Sequence, residues 1–382
     1  MSKEIAIIGA GPAGLMAADL LSAAGRRVTI YDRMPSPARK FLMAGRGGLN
    51  LTHSEPFERF VARYGRRAPV LRAALEGFTP KDLRDWADAL GAETFVGTSG
   101  RVFPKAMKAS PLLRAWLARL EAQGVGLRLR SEWRGWDAQG RLLIGDEAVQ
   151  TETTILALGG ASWPKLGSDG GWVGRLAERG VKMAPFLPAN AGFLTGWSDA
   201  MQRFAGEPLK NIALGFGGRS VKGEIMLTRR GLEGGAVYAL SGPLREAIQR
   251  YGFAELVIDL KPDLNAGQVA SKLGRASPKD SLSNRLRKSL GLPPAAIALV
   301  HETKAADVKA VTVRLTGMQG LERAISSAGG VSFEAVTPDF ELKALPGVYC
   351  VGEMLDWEAP TGGYLLQVCF STAVAAARAI LR

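Results

Sequence analysis

The sequence has few residues that bind metals or form disulfides, because only two cysteines and two histidines occur among its 382 residues. Cys350 and Cys369 cannot form a disulfide framework, and they are not spaced as a Cys-x-x-Cys redox pair. His53 and His301 are too few and too far apart in the chain for a histidine-based metal site. We therefore expect no metal centre, and the low cysteine content fits a reducing, cytoplasmic location.

Long apolar runs are also absent from the sequence. No segment approaches the ~20 apolar residues that a helix needs to span a bilayer, so we expect no membrane-spanning helix and no membrane partner. The first residues contain an acid, Glu4, within a strand-like pattern, which is unlike a secretory signal. A composition of 47% hydrophobic and 22% charged residues is typical of a packed soluble protein. The length indicates two or three domains, and no particular oligomeric state.

Basic residues exceed acidic ones: 49 lysines and arginines against 36 aspartates and glutamates give a net charge of +13. Residues 1–187 carry 27 basic and 18 acidic side chains, residues 188–331 carry 19 and 12, and residues 332–382 carry 3 and 6. This surplus favours an anionic partner, such as a nucleotide, a nucleic acid or an anionic lipid. Solubility and electrostatic steering explain the same surplus equally well.

The start of the chain has the pattern of a dinucleotide-binding unit. Residues 4–8 are apolar and β-branched and predict a buried strand, which runs directly into a glycine turn and a helix. Gly9 permits the tight turn, Gly11 lets backbone N–H groups approach a pyrophosphate, and Gly14 allows close helix–strand packing. A second strand ends at Asp32, whose carboxylate can accept hydrogen bonds from an unphosphorylated ribose, as in FAD or NAD.

A basic, glycine-rich loop follows at 38–53. Lys40 and Arg46 flank its glycines, which makes the loop suitable for binding an anion, and His53 at its end could donate a proton during reduction or have no such role. Residues 57–72 then alternate basic and aromatic side chains. That pattern could bind a polyanion, but we favour an amphipathic helix with its basic side in water.

Residues 188–331 lose the alternation of strands and helices. Short strands are predicted at 212–216, 223–227, 236–240 and 255–260, and a basic helical part at about 262–300. An apolar strand at 348–353 then ends in Gly-Glu and leads to a helix of small residues at about 367–381. We therefore expect residues 188–331 to form an inserted domain, and residues 1–187 and 332–382 to form a discontinuous domain.

These motifs together resemble the BaiN/RdsA-like family of FAD-dependent flavoproteins, some of which are of the aminoacetone-oxidase type. The resemblance covers nearly the whole chain. The motif at 9–14 occurs in many oxidoreductases, whereas the motifs at 39–53, 223–235 and 352–367 occur in far fewer families. The motifs are GAGPAG (9–14), RKFLMAGRGGLNLTH (39–53), GRVFP (100–104), LALGGASWPKLGSDG (156–170), GEIMLTRRGLEGG (223–235), SSAGGV (326–331) and GEMLDWEAPTGGYLLQ (352–367).

The resemblance implies an α/β fold: a Rossmann-like FAD-binding domain built from both chain ends, with an inserted domain that has a β-rich part and a small helical part. It implies that FAD binds non-covalently, with Trp133 holding adenine through its backbone. It assigns no catalytic residue. The implied cofactor-binding residues are Gly9, Gly11, Pro12, Ala13, Gly14, Asp32, Arg33, Arg39, Lys40, Gly45, Arg46, Gly47, Gly48, Asn50, Trp133, Ala157, Leu158, Gly159, Gly352, Glu353, Gly362, Gly363 and Tyr364.

The sequence departs from the family pattern in two loops near the expected flavin. Gly48 and Leu49 stand where the family usually has arginine and cysteine, although Arg46 can supply a charge nearby. Leu365 stands where an asparagine is usual. These departures affect expectations about the substrate more than expectations about FAD.

Three functions remain open at this point. The resemblance implies an FAD-dependent reductase of an activated carbon–carbon double bond, in a family whose reactions include reduction of uracil in ribosomal RNA. The alternatives are an FAD-dependent oxidase or reductase of a small molecule (an amine or an enone), and a non-enzymatic FAD-containing protein that binds RNA or another partner. No second Gly-x-Gly-x-x-Gly follows a strand, so NAD(P)H would be a transient electron donor without a domain of its own.

Overall fold

The strand, glycine turn, helix and strand predicted at the start of the chain are β1 (Ile5–Ile8), α1 (Pro12–Ala23) and β2 (Val28–Asp32). The computed structural model describes residues 4–382, apart from the side chain of Arg46. All four side chains of β1 are buried, as expected for a strand that is covered on both faces.

The elements before residue 190 include both strands and helices. Strands β3–β11 are Thr52–His53, Thr94–Val96, Arg101–Pro104, Gly126–Leu129, Trp133–Trp136, Leu142–Ile144, Glu147–Val149, Thr153–Leu156 and Met183–Ala189. Helices α2–α7 are Arg39–Ala44, Phe57–Ala62, Ala68–Gly77, Pro80–Asp88, Ala109–Ala122 and Val173–Ala177. Five consecutive strands lie between α6 and α7.

The later elements complete the chain. Strands β12–β18 are Phe193–Leu194, Pro208–Phe216, Arg219–Thr228, Gly231–Glu233, Ala254–Asp259, Val311–Leu315 and Gly317–Met318. Helices α8–α13 are Asp199–Gln202, Gly235–Ala239, Ser241–Tyr251, Ala266–Gly274, Leu282–Leu290 and Pro294–Thr303. The last three elements are β19 (Ser326–Val331), β20 (Val348–Cys350) and α14 (Tyr364–Leu381).

The chain divides into two compact units, Met1–Leu187 with Ile325–Arg382, and Pro188–Ala324. The first unit contains a five-stranded parallel sheet in the order β20-β10-β1-β2-β6. In its register Ile8 lies between Tyr31 and Leu156, so β1, β2 and β10 end at the same edge of the sheet. Ligands of open parallel sheets bind outside this carboxyl edge.

Helix α14 is part of the core of the first unit. Its 18 residues are long and apolar enough to cross a membrane by length and composition alone. Phe370, Ala373 and Val374 are nevertheless buried, in the same apolar cluster as Leu15 and Ala18 of α1. This burial is that of a core helix.

The second unit has a seven-stranded antiparallel sheet in the order β17-β16-β13-β14-β15-β12-β18. Helices α11, α12 and α13 form its helical part, and Leu286, Leu290 and Leu299 bury their side chains in one cluster with Leu256 and Ile258 of β16. The predicted fold class, a Rossmann-like α/β domain with a β-rich and partly helical insert, is confirmed.

Several local predictions differ from the structure. Residues 236–240 are not a strand, because Gly234 at φ +113° precedes the short helix α9. The first unit resumes at Ile325 and not at 332, since β19 pairs with β11. Residues 57–72 form α3, a 3-10 turn at Gly65–Arg67 and the start of α4, and not one continuous helix.

Candidate cofactor and active site

The three glycines of the first turn have different surroundings. A Cβ built on Gly9, which has φ +107°, would lie 2.4 Å from the carbonyl oxygen of Ala157. A Cβ on Gly14 would lie 2.0 Å from the carbonyl oxygen of Gly9. A Cβ on Gly11 would meet no atom of the described residues within 4 Å. Gly9 and Gly14 therefore permit close packing, whereas Gly11 borders open space at the start of α1.

Asp32 lies at the end of β2 and holds the backbone around this turn. One carboxylate oxygen accepts a 2.7 Å hydrogen bond from the N–H of Ala10, and the other accepts a 2.7 Å bond from the N–H of Met34. Burial raises the pKa of Asp32 above its ordinary value, although these two hydrogen bonds act in the opposite direction. Each oxygen keeps a lone pair that a ribose hydroxyl can use.

A cavity of about 290 Å³ lies at the carboxyl edge of the parallel sheet, bordered by the ends of β1, β2 and β10. Its volume is close to the lower limit of typical ligand pockets. Thirteen described residues from the sequence-based set of cofactor contacts line it: Gly9, Gly11, Pro12, Ala13, Asp32, Arg33, Arg39, Lys40, Trp133, Ala157, Leu158, Gly159 and Glu353.

Three buried polar atoms in the lining of this cavity have no hydrogen-bond partner among the described residues. They are Nε of Arg39, Nε1 of Trp133 and Oγ of Ser168. A buried donor without a partner costs about 1–3 kcal/mol, so such groups normally indicate a ligand or an ordered water. Two of the three can only donate, which suits the acceptor oxygens and nitrogens of a nucleotide.

The cavity wall contains a network of charged and hydroxyl groups. Lys40 Nζ donates to Glu353 Oε2 at 2.7 Å and to Ser162 Oγ at 2.5 Å. Glu353 Oε1 also accepts from the N–H of Ser327 at 3.2 Å. The network holds Lys40, which precedes the glycines of the loop at 38–53, against the segment that follows β20.

Arg33 is engaged within the protein. Its Nη1 lies 2.8 Å from Asp169 Oδ2, and its Nη2 donates to the carbonyl of Gly167 at 3.0 Å. Burial raises the pKa of Asp169, but the hydrogen bond from Gly171 and the bond and charge of Arg33 outweigh it, so the pKa is lowered. Arg33 therefore connects the end of β2 to the segment after Gly159.

The other sequence-based contacts lie outside this lining. Gly14 and Gly352 permit close packing, and a Cβ on Gly352 would lie 2.9 Å from the Cβ of Ala13. Gly45 packs on Ala109 in the same way, and a Cβ on Gly48 would lie 2.8 Å from Met107 Cε, whereas one on Gly47 would meet no described atom within 4 Å. The buried Oδ1 of Asn50 accepts no hydrogen bond from the described residues. The side chain of Arg46 lies outside the described part of the chain.

Gly362, Gly363 and Tyr364 lie beside the end of the glycine loop. A Cβ on Gly363, which has φ +97°, would lie 2.5 Å from the Cα of Thr52. The Tyr364 hydroxyl donates to Glu55 Oε1 at 2.6 Å, and its ring stacks on His53 with centroids 5.4 Å apart. Burial, followed by the bond to Glu55, raises the pKa of Tyr364 well above its usual range.

The hydrogen bonds of His53 define which nitrogen carries the proton. Its Nδ1 accepts from the N–H of Glu55 at 3.1 Å, so the neutral ring has its proton on Nε2. That Nε2–H donates to the carbonyl of Ser99 at 3.0 Å. His53 in this arrangement therefore has no free proton to donate.

The two cysteines do not readily lose their thiol protons. Burial raises the pKa of the Cys350 thiol above its usual range and that of Cys369 to about 12. Cys369 borders the main cavity, but it would be a thiol there at neutral pH.

Sequence reasoning missed several residues that line the cavity. Ser168 and Asp169 line it and lie within the motif at 156–170, from which only residues 157–159 were assigned to the cofactor. Ser162 of the same motif does not line the cavity, but it accepts a hydrogen bond from the lining residue Lys40. The signal that could have found Ser168 and Asp169 is the Gly-Ser-Asp-Gly turn at 167–170, which returns the chain to Arg33. Ser36 and Arg175 carried no signal of their own.

Comparison with known proteins gives the family of this chain. The protein-family model described as the HI0933-like protein Rossmann domain matches residues 3–379. The chain belongs to the HI0933-like Rossmann family. The predicted resemblance is thereby confirmed, and relatives with the activities that the resemblance implied are found as well.

Two relatives span this family member almost completely. The ribosomal RNA dihydrouridine synthase of Escherichia coli (strain K12) is 29% identical over 407 residues, which cover 98% of this chain and 97% of the relative. The 3-dehydro-bile acid delta(4,6)-reductase of Clostridium scindens is 26% identical over 409 residues, covering 99% and 98%. A solved flavocytochrome c3 fumarate reductase has the same fold, with a TM-score of 0.51 at 16% identity, covering 100% of this chain and 79% of that one.

Proposed function

We propose that this protein is an FAD-dependent oxidoreductase that reduces an activated carbon–carbon double bond with electrons from NAD(P)H. The observation that carries the proposal is the cavity at the carboxyl edge of the parallel sheet, with its three unpartnered buried polar atoms among the described residues. Family membership and the reductase among the relatives support it.

The residues around the cavity fit the ADP half of FAD. Gly11 leaves space for a pyrophosphate at the N-terminus of α1, where free N–H groups and the helix dipole favour negative charge. Asp32 would accept hydrogen bonds from the adenosine ribose, Arg39 Nε would donate to a phosphate oxygen, and Trp133 would hold the adenine. The first unit, with both chain ends, is in this proposal the FAD-binding domain.

The residues of the flavin half differ in chemistry from those of the ADP half. Gly45, Gly47, Gly48, Asn50 and the segment Gly362–Tyr364 present backbone and one unpartnered amide oxygen, which suits a flat ring that makes few charged contacts. When bound, FAD supplies hydride transfer between donor and substrate. The Lys40–Glu353 pair keeps the glycine loop and the segment after β20 together.

The proposed substrate is uracil in ribosomal RNA. The relative from Escherichia coli is named for that chemistry, and the basic surplus of this chain suits a polyanion. A small enone is the second candidate, which the bile-acid reductase among the relatives favours. The tests below also distinguish an amine oxidase and a non-enzymatic FAD protein from these two candidates. A cytoplasmic location belongs to the same proposal.

The cofactor is tested on the purified protein. We expect a yellow protein that releases FAD on heating, and NADH or NADPH should bleach the flavin absorption under anaerobic conditions. A colourless protein that fails to bind added FAD, or one that releases FMN, would refute the cofactor. A flavin that bleaches only with an amine would indicate an oxidase, and one that no reductant bleaches a structural role.

The substrate is tested in cells and then in vitro. Ribosomal RNA from cells that lack the gene should have lost dihydrouridine at one or more positions, and the loaded enzyme with NAD(P)H should restore it. If no position loses dihydrouridine while the enzyme oxidises NAD(P)H with a steroid-like enone, the small-molecule candidate replaces ribosomal RNA.

A further inference from the structure

The sheet formed by β3, β5 and β4 carries aromatic side chains on the side that faces solvent. Phe95 pairs with Phe103 and His53 pairs with Arg101 across the antiparallel ladders. Directly paired residues, and residues two apart on a strand, lie on the same side of a sheet. His53, Phe95, Arg101 and Phe103 therefore share one side, which we call the outer face.

The other side of the same sheet is packed at β3 and β5. Thr52 and Val102 are fully buried there, and Thr52 donates a 2.7 Å hydrogen bond to Gln367. A sheet with one buried side normally has polar residues on the other. The two phenylalanines of the outer face depart from that pattern, because the Phe95 side chain is 43% exposed and packing does not explain it.

The outer face is a stacking surface of adjoining apolar groups. The rings of Phe95 and Phe103 have centroids 5.9 Å apart and an interplanar angle of 33°. Met107 is 38% exposed and lies beside Gly48, as Phe103 does. A Cβ built on Gly48 would be 2.8 Å from Met107 Cε and 3.5 Å from the Phe103 ring. The absence of a side chain at Gly48 is what lets Met107 lie against the glycine loop.

The outer face is also basic. Arg101 is exposed and forms no ion pair or side-chain hydrogen bond within the described residues. Lys105 also lies at this surface, but it pairs with Glu93 at 2.5 Å, so the two charges cancel. Exposed rings beside uncompensated cations are the combination that binds single-stranded nucleic acid, in which bases stack and phosphates pair with Lys or Arg.

We infer that the outer face binds a single-stranded segment of the RNA substrate, with one base stacked on Phe95 and a phosphate paired with Arg101. The inference rests on the proposed ribosomal RNA substrate and adds the surface that would hold it. The outer face adjoins the glycine-rich loop at 38–53. The N–H of Leu49 in that loop donates to the carbonyl of Met107, which lies beside Phe103, at 2.8 Å.

The test uses the FAD-loaded enzyme and a uridine-rich single-stranded RNA oligonucleotide, with binding measured by fluorescence anisotropy at several salt concentrations. Phe95→Ala should weaken binding roughly tenfold at every salt concentration, because stacking is not ionic. Val96→Ala is the matched control, since Val96 is 44% exposed on the opposite side of the same strand, and it should change affinity by less than about twofold. Flavin content should be unchanged in both.

The charge is tested separately. Arg101→Gln should reduce the slope of log affinity against log salt by about 0.7, the value for one phosphate of a single strand. Arg26→Gln removes one charge from an exposed position between α1 and β2 and should leave the slope as it is in the wild type.

The outcomes distinguish the surface from the function. If the wild-type enzyme makes dihydrouridine and binds the oligonucleotide, yet Phe95→Ala and Val96→Ala bind equally well, the outer face is not the RNA surface and the proposed function stands. If the wild-type enzyme neither makes dihydrouridine nor binds RNA better than an unrelated protein of equal charge, both proposals fail. If Phe95→Ala loses capture of a protein partner but not of RNA, the surface belongs to that protein.

Discussion

At the scale of single residues, Gly11 and Gly14 belong to one motif but have separable roles. Gly11→Val should abolish FAD binding while the fold is kept, because its side chain would occupy the space of the pyrophosphate and a Cβ at this position would meet no described protein atom within 4 Å. Gly14→Val should instead destabilise the protein by about 1–3 kcal/mol or more, because its Cβ would lie 2.0 Å from Gly9 O.

Thermal unfolding and FAD titration separate these two effects. Gly274→Val, in α11 of the second unit, is the control for adding a valine where nothing lies within 4 Å, and it should alter neither measurement. Normal FAD affinity in Gly11→Val would mean that the pyrophosphate does not lie at the start of α1.

At the scale of elements, Glu55 joins the segment after β3 to Arg63, which directly follows α3, and to Tyr364, the first residue of α14. It accepts two hydrogen bonds from Arg63, at 2.9 and 2.7 Å, and one from the Tyr364 hydroxyl. Burial raises the pKa of Glu55, but these bonds outweigh it, so the folded-state pKa lies below the ordinary value of 4.5. A carboxylate with a lowered pKa stabilises the fold above its unfolded value and loses that contribution as the pH falls through the folded value.

Glu55→Gln should therefore lower the free energy of unfolding by about 1–3 kcal/mol at neutral pH. The difference from the wild type should shrink below the ordinary pKa of 4.5, where the protonated glutamate resembles glutamine. Denaturant unfolding at a series of pH values measures this. Glu58→Gln, in an exposed pair with Arg72, should have a smaller effect because water screens the pair. A difference that did not change with pH would show that the Glu55 charge is not responsible.

The same elements show why part of the structure was predictable. The elements between Ile5 and Asp32 were predicted closely, because strand periodicity, glycine spacing and the final acid are all local signals. The start of α5 is also set by local signals: Pro80 is its first residue, and Thr79 and Asp82 form a capping box. The helix expected at 57–72 was wrong as one element, because Gly65 has φ +53° in the 3-10 turn at Gly65–Arg67. Arg67 also pairs with Asp356, far away in the sequence, and such tertiary contacts override local pattern.

The site was predictable where backbone geometry forms it and less so where side chains converge. Gly9, Gly11 and Asp32, which line the cavity, were proposed from their spacing. Ser168 and Asp169 were missed because their role depends on a turn that returns to Arg33, more than 130 positions earlier. The outer face was also missed, since a three-residue strand such as β4 has too few positions for alternation to be visible.

At the scale of the whole molecule, the cavity should require both chain ends. The carboxyl-terminal segment supplies β20, which pairs with β10, and Glu353, which binds Lys40. A chain that ends at residue 331 should not bind FAD, and co-expression with residues 332–382 should restore binding. Co-purification and released FAD are the measurements. FAD binding by the shortened chain alone would refute the proposal of a discontinuous FAD domain.

The charge of the second unit leads to a prediction about RNA affinity. Three basic residues, Arg285, Arg287 and Lys288, lie on α12, where Lys288 pairs with Asp280 and Arg287 donates to Asn284. Because none of them lines the cavity in the first unit, reversing all three to glutamate should weaken binding to ribosomal RNA and leave the flavin content unchanged.

The salt dependence gives the size of this effect. The slope of log affinity against log salt should fall by about 0.7 for each phosphate contact that is lost from single-stranded RNA. The control reverses Arg203, Lys210 and Arg219, three exposed residues outside α12 in the same unit, and makes the same change in net charge. If both triple variants lose the same affinity and the same slope, only net charge attracts RNA to this unit. A larger loss from the α12 variant would identify α12 as a specific contact.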